Sequence, residues 1–264
     1  MRAGTEASAT GAPAEDQLPQ FGGRWALFLD VDGTLVDFAE RPDAVVVPAR
    51  LREILERIFR RNGGALALVS GRRLADLDRL FEPLRYPAAG QHGLERRGIH
   101  GSVRWVTGVA ERINDAAHEI QAQASALEGV VVEHKGLTLA IHYRLAPQLR
   151  DWVAGAARAL LPHLGDDFRL IEGKMVFEIG LSGKDKGVAI AEFMHEAPFA
   201  GRLPVFVGDD VTDEDGFAVV NALNGLSVKV GPGFSAARWR LSGAEEVRRW
   251  LEDYAAYLDR EGPV

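Results

Sequence analysis

From Arg24 onward, short and nearly unbroken apolar runs alternate with longer stretches in which apolar residues recur every three or four positions. Four runs stand out. Trp25-Ala26-Leu27-Phe28-Leu29 leads into Asp30, and Ala65-Leu66-Ala67-Leu68-Val69 leads into Ser70. Leu203-Pro204-Val205-Phe206-Val207 leads into Gly208-Asp209-Asp210, and Leu226-Ser227-Val228-Lys229-Val230 into Gly231. Strands apolar on both sides are those covered by helices on both faces, so the pattern predicts a parallel α/β sheet. Ligands in such sheets bind beyond the carboxyl ends of the strands. Three of the four runs end on Asp or Ser, which places the candidate chemistry at that edge.

The intervening helices are legible too. Pro48 opens residues 49–61, where Leu51, Ile54, Leu55 and Ile58 follow the 3.6-residue period until Asn62-Gly63-Gly64. A second amphipathic stretch follows Lys184 and breaks at Pro198. The middle of the chain reads differently: a helix over about 109–127, strands at 130–133 and 137–143 around a Lys135-Gly136 turn, a helix over 148–161, and strands at 168–171 and 175–179 around Glu172-Gly173-Lys174. That αββαββ order suits an independent α+β module. It is placed as an insertion at residues 101–174, splitting a core of residues 21–100 and 175–264. Residues 1–20, rich in Ala, Gly, Thr and Pro, read as a disordered tail without a signal-peptide core.

Composition narrows the function classes. With 38 acidic against 31 basic residues and a net charge of -7, the chain has no basic stripe to follow a nucleic-acid backbone. The absence of cysteine removes disulfides, thiolate metal sites and cysteine nucleophiles. No apolar run approaches the roughly 20 residues of a membrane-spanning helix, so a soluble, cytoplasmic protein without membrane contact is expected.

The chemistry begins at Asp30-Val31-Asp32-Gly33-Thr34, where two carboxylates leave a buried strand together and a glycine permits a sharp turn. One carboxylate can attack phosphorus and bind Mg²⁺, while the other protonates the departing alkoxide and later activates water. Like charges so close call for a cation, and Mg²⁺ prefers oxygen ligands and phosphate. The same residues also suit an ordinary turn. Ser70-Gly71-Arg72 offers a hydroxyl and amides to a phosphoryl group, although Ser70 reads equally well as a helix cap. Within Gly183-Lys184-Asp185-Lys186-Gly187 either lysine can supply a point charge, and the residues alone do not choose between them. Gly208-Asp209-Asp210-Val211-Thr212-Asp213-Glu214-Asp215 packs five acids into seven residues after a buried strand. A helix dipole accounts for the last three acids, and a metal site accounts better for Asp209 and Asp210.

These four elements, in this order and on these strand ends, resemble the haloacid-dehalogenase-like (HAD) phosphatases. That resemblance implies a Rossmann-like parallel-sheet core with an inserted α+β cap of the second kind. It makes Asp30 the nucleophile, Asp32 the general acid/base, Thr34 a phosphoryl-positioning residue, and Ser70 and Lys186 phosphate ligands. Mg²⁺ would be held by Asp30, the Asp32 main-chain oxygen and Asp209, with Asp210 and Asp213 behind them.

Ala89-Gly90-Gln91-His92-Gly93-Leu94-Glu95, the segment from Glu133 to His142-Tyr143-Arg144, and Gly173-Lys174-Met175-Val176-Phe177-Glu178 further resemble the trehalose-6-phosphate phosphatases, over about residues 24–255. By that resemblance Gly33, Gly71, Arg72, Gln91, His92, Lys135, Arg144, Lys174 and Glu178 contact substrate. The expected reaction is hydrolysis of trehalose 6-phosphate, with functional coupling to a trehalose-6-phosphate synthase. His142 and Arg144 also fit a solvent-facing strand, and Lys174 and Glu178 a surface ion pair. The tryptophans Trp105, Trp152, Trp239 and Trp250 read as packing residues rather than sugar platforms. Sucrose-phosphate or mannosyl-phosphoglycerate phosphatases share the implied core and cap. A non-catalytic phosphosugar-binding regulatory domain is the alternative from another class.

Overall fold

Strand β1, Trp25–Leu29, shows why the apolar runs are unbroken: Trp25, Leu27 and Leu29 enter one core, while Ala26 and Phe28 enter another on the opposite face. The same alternation holds in β2 (Leu66–Val69) and in β10 (Leu203–Gly208). Burial on both sides contributes roughly 1.5–3 kcal/mol per large apolar side chain. The structure is a computed structural model that describes residue 18, residues 20–38 and residues 44–262. The tail expected at 1–20 lies outside the described residues except for Leu18 and Gln20, and Leu18 packs against the first core.

The remaining elements follow in chain order: α1 (Ala49–Arg61), α2 (Leu74–Leu80), β3 (Ala88–Gly90), β4 (Glu95–Arg97), β5 (Val103–Trp105), α3 (Ala110–Ala124), β6 (Val131–His134), β7 (Leu139–His142), α4 (Arg150–Leu164), β8 (Phe168–Gly173), β9 (Val176–Leu181), α5 (Lys186–Met194), α6 (Glu214–Ala222), β11 (Leu226–Val230), β12 (Trp239–Leu241) and α7 (Ala244–Glu261). One eight-stranded sheet has the order β12-β11-β10-β1-β2-β3-β4-β5, parallel from β12 to β3 and antiparallel at β4 and β5. Helices α1 and α7 cover the face formed by the first core, where Tyr254 stacks on Trp25 with ring centroids 4.4 Å apart. Helices α5 and α6 cover the other face through Ile190, Phe193 and Phe217.

Strands β6-β7-β9-β8 form a second, antiparallel sheet, backed by α3 and α4 around Ile113, Ile120, Val153 and Phe177. The expected insertion limits of 101 and 174 differ from the sheet pairing. Val103–Trp105 still pairs with β4 in the first sheet, and Val176–Leu181 lies between β7 and β8 in the second. The hairpin at Gly173-Lys174-Met175 explains the shift, because its turn lies inside the second sheet rather than at its border, with Met175 at φ 62.

Candidate active site

Asp30 follows β1 directly, and β1 lies between β2 and β10, so Asp30 sits centrally at the carboxyl edge of the sheet. Its carboxylate is buried, and Lys186 Nζ donates to its Oδ1 at 2.7 Å. The same ammonium donates to Asp213 Oδ1 at 2.7 Å, while Asp213 Oδ2 accepts the amides of Asp209 and Asp210, each at 2.8 Å. Lys186 therefore supplies the buried cation, and Lys184 turns to Glu192 at 3.0 Å. Lys186 comes to this point because it opens α5, behind an Asp185 cap that accepts from Val188 N at 2.8 Å.

Asp30, Asp209 and Asp213 each offer an oxygen within 4.8 Å of the others. Burial, with the charges of Asp213 and Asp209, pushes the Asp30 carboxyl well above the ordinary range despite the opposing pull of Lys186. Burial likewise pushes Asp209 up, against its contact with Lys174. Three buried carboxylates of this kind form an all-oxygen donor set that fits a hard divalent cation. Asp213 accepts from Lys186 at Oδ1 and from two amides at Oδ2 and so lies behind the other two, while Asp209 holds the Lys174 ammonium at Oδ2 and the Thr34 hydroxyl at Oδ1. Asp210 accepts from Val211 N and Lys174 N and stands apart from the three.

Gly33 lets this arrangement close. Its φ is 80°, and a Cβ there would lie 2.4 Å from Asp209 Oδ2. Thr34 is fully buried, and its hydroxyl donates to Asp209 Oδ1 at 3.4 Å, so its contact is with the acid rather than with the open cleft. Lys229 on β11 was missed from sequence because it reads as one polar position in an apolar run. It is buried and donates to the main-chain oxygen of Asp209.

A cleft of about 360 Å³ separates the carboxyl edge of the first sheet from the second sheet. Asp32 lies at its floor, gripped by Arg72 through Nε at 2.6 Å and Nη2 at 2.7 Å. Arg72, expected on substrate, thus engages the second carboxylate of the pair, as a planar fork does with a carboxylate. Ser70 also lines the cleft. It is not a helix cap, since α2 begins at Leu74, and its Oγ accepts from Arg72 N at 3.2 Å. Gly71 passes close to His92, whose Nε2 would lie 2.8 Å from a Cβ on that glycine.

The facing wall carries Lys135, Glu133, His142 and Glu178. Lys135 Nζ donates to Glu178 Oε2 at 2.8 Å and to Gly71 O at 3.2 Å, which ties the second sheet to the Ser70 loop. Burial alone would raise Glu178, but Lys135 and His92 outweigh it and hold the carboxyl far below its ordinary value. Its Oε1 faces His92 Nε2 at 3.5 Å, a charge contact too long for a good hydrogen bond, and is buried without accepting a hydrogen bond. Glu133 pairs with His142 at 2.7 Å. Phe38, missed in the sequence, lies beneath the Arg144 guanidinium at 4.8 Å and the Lys174 ammonium at 5.2 Å.

Gln91 departs from expectation. It is fully buried, its Oε1 accepts from Leu137 N and Thr138 N at 3.1 Å each, and its Nε2 donates to Glu95 at 2.7 Å. With both ends satisfied it braces the second sheet against the first instead of facing the cleft. The tryptophans stay out of the cleft wall; Trp250 stacks on Trp25 with ring centroids 5.6 Å apart.

The Glu178 pairing has a testable sign. A carboxyl depressed in the fold contributes stability that is complete above its unfolded value of 4.5 and is lost as pH falls through the folded value. Glu178→Gln is expected to lower stability at neutral pH and to flatten the decline below pH 4.5. Denaturant melts at pH 7 and pH 3 check this, and parallel profiles for both proteins would contradict it.

An acid at the end of the central strand, a second acid two residues on, a buried lysine and a further strand-end acid under a cap define a phosphatase of the HAD class. The trehalose-phosphatase family model matches residues 28–244, and the chain belongs to that family, whose members are phosphoric monoester hydrolases. It is 45% identical over 248 residues to the trehalose-6-phosphate phosphatase of Escherichia coli K12, covering 93% of this chain and 92% of the relative. It is also 45% identical over 233 residues to the probable trehalose-phosphate phosphatase of Sinorhizobium fredii NGR234, covering 85% of each. The crystal structure of a trehalose-6-phosphate phosphatase related protein aligns with a TM-score of 0.73 at 25% identity, over 89% of this chain and 99% of that one. Among the described residues no helix is long and apolar enough to cross a membrane.

Proposed function

We propose that the chain hydrolyses trehalose 6-phosphate to trehalose and inorganic phosphate, with Asp30 as nucleophile. The observation that carries this is the pairing, across one cleft, of a buried Asp30–Lys186 ion pair with a polar wall whose Glu178 Oε1 is buried and accepts no hydrogen bond. An orphaned acceptor of this kind costs free energy until a donor reaches it, and a sugar hydroxyl is such a donor. Relatives named for trehalose 6-phosphate support the choice of sugar.

In the first step an Asp30 oxygen attacks phosphorus, the bond from phosphorus to the sugar oxygen breaks, and Asp32 gives its proton to that oxygen. In the second, Asp32 takes a proton from water as the water oxygen attacks the aspartyl phosphate, which releases phosphate and restores Asp30. Lys186 and the Ser70 hydroxyl hold the phosphoryl oxygens, and Arg72, whose fork holds both oxygens of the Asp32 carboxylate, has to release it for the protonated form to act. Asp30, Asp209 and the main-chain oxygen of Asp32 would hold Mg²⁺, which supplies charge neutralisation for the phosphoryl group. Lys135, His92, Glu178, Arg144 and Lys174 face the sugar and its phosphate. A trehalose-6-phosphate synthase would supply the substrate in the cytoplasm.

The test is phosphate release with Mg²⁺ from trehalose 6-phosphate, sucrose 6-phosphate, glucose 6-phosphate and mannosyl-3-phosphoglycerate at equal concentration. The highest kcat/KM is expected for trehalose 6-phosphate. Preference for another member would overturn the sugar assignment and leave the catalytic one, while release from none would overturn both.

A further inference from the structure

The turn between β8 and β9 reaches across from the second sheet to the core and takes hold of both acids that follow β10. Lys174 Nζ bonds Asp209 Oδ2, and Lys174 N donates to Asp210 Oδ2 at 3.3 Å. The approach is close: a Cβ on Gly173 would lie 3.0 Å from Asp210 Oδ2. Asp209 is 2% exposed at its side chain while Lys174 is 46% exposed, so a half-exposed ammonium from the cap is seated on a buried carboxylate of the core. Thr34 bonds the other oxygen of that carboxylate.

A divalent cation shared by Asp30 and Asp209 needs the charge that Lys174 is already using, and two cations at one carboxylate repel each other. We infer that Lys174 and the divalent cation exclude each other at Asp209, so that cation binding releases the cap lysine toward the substrate phosphate. This rests on the reading of Asp30 and Asp209 as metal carboxylates. The half-exposed four-carbon side chain can leave without disturbing the core, since the ammonium needs only to rotate away into the cleft that Lys174 itself lines. There, with Asp209 engaged by the metal, the incoming phosphate dianion becomes its acidic partner. Linkage requires reciprocity: whatever factor the lysine latch takes from cation affinity, the cation takes from the latch.

The inference predicts opposite signs for two constants. Lys174→Met is expected to tighten Mg²⁺, titrated alone by calorimetry without substrate, by roughly tenfold, within the usual span of site-to-site coupling. The same variant is expected to raise KM for trehalose 6-phosphate at saturating Mg²⁺. Lys174→Arg, which keeps the charge, is expected to stay near the parent in Mg²⁺ affinity. Unchanged or weaker Mg²⁺ binding by Lys174→Met, beside a parent that binds Mg²⁺ normally, would overturn the exclusion while leaving the metal site intact. A parent that binds no Mg²⁺ would overturn the metal site and the inference with it.

Discussion

Asp30→Asn is expected to abolish phosphate release, lowering kcat by about four to six powers of ten, as loss of a nucleophile does elsewhere. The amide keeps the shape and can still accept from Lys186, which also retains Asp213, so the fold has no reason to collapse. Stability should move the other way. The folded pKa of Asp30 lies above its unfolded value of 3.8, so its stability contribution is full below 3.8 and is lost as pH rises through the folded value. At neutral pH the ionised group is a liability that the amide removes. Without divalent cations, the variant should therefore melt at or above the parent temperature while being inactive. Such a trade of stability for chemistry is what a strained catalytic site shows. Steady-state turnover and thermal melts of both proteins check the two halves, and undiminished turnover would remove Asp30 from the mechanism.

How far the sequence reveals this site depends on how each residue reaches it. Asp30, Ser70 and Asp209 follow apolar strands, and a strand buried on both faces announces its own end. Lys186 is legible only as one of two lysines, because choosing between it and Lys184 requires knowing which way the first turn of α5 faces. Strands β3, β4 and β5 have three residues each, too few for a period to show, and so the sheet extends further than the sequence indicates. Gln91 looks like a ligand because amides bind sugars, yet its neighbours Leu137 and Thr138 are far along the chain and consume its acceptor. Phe38 and Lys229 gave no signal at all. Their roles come from proximity to Lys174 and Asp209 that only the folded chain creates.

Lys186→Met is expected to produce the second large effect, on both stability and turnover. Lys186 is 2% exposed and stands between Asp30 and Asp213, with Asp209 alongside. Burial would lower its pKa, but Asp213 and Asp30 outweigh that and hold it well above the ordinary lysine value, so it is charged at neutral pH. Its stabilisation is complete below 10.5 and disappears only as pH rises through the still higher folded value. Replacing it leaves buried carboxylates without their common partner, and breaking a buried pair in this way costs about 3–5 kcal/mol. The loss should depend on pH with a definite sign. Without the ammonium, Asp30 is raised further, and a raised carboxyl supports the fold below 3.8 and withdraws that support as pH rises. The deficit should therefore be largest near neutrality and shrink toward pH 4. Mg²⁺ should recover part of the lost stability by neutralising Asp30, the one carboxylate it shares with Lys186, but not the turnover, because the point charge that holds the phosphoryl oxygens is gone. Denaturant melts at pH 7 and pH 4, with and without Mg²⁺, separate these effects. A deficit independent of both pH and Mg²⁺ would show that Lys186 is held for packing alone.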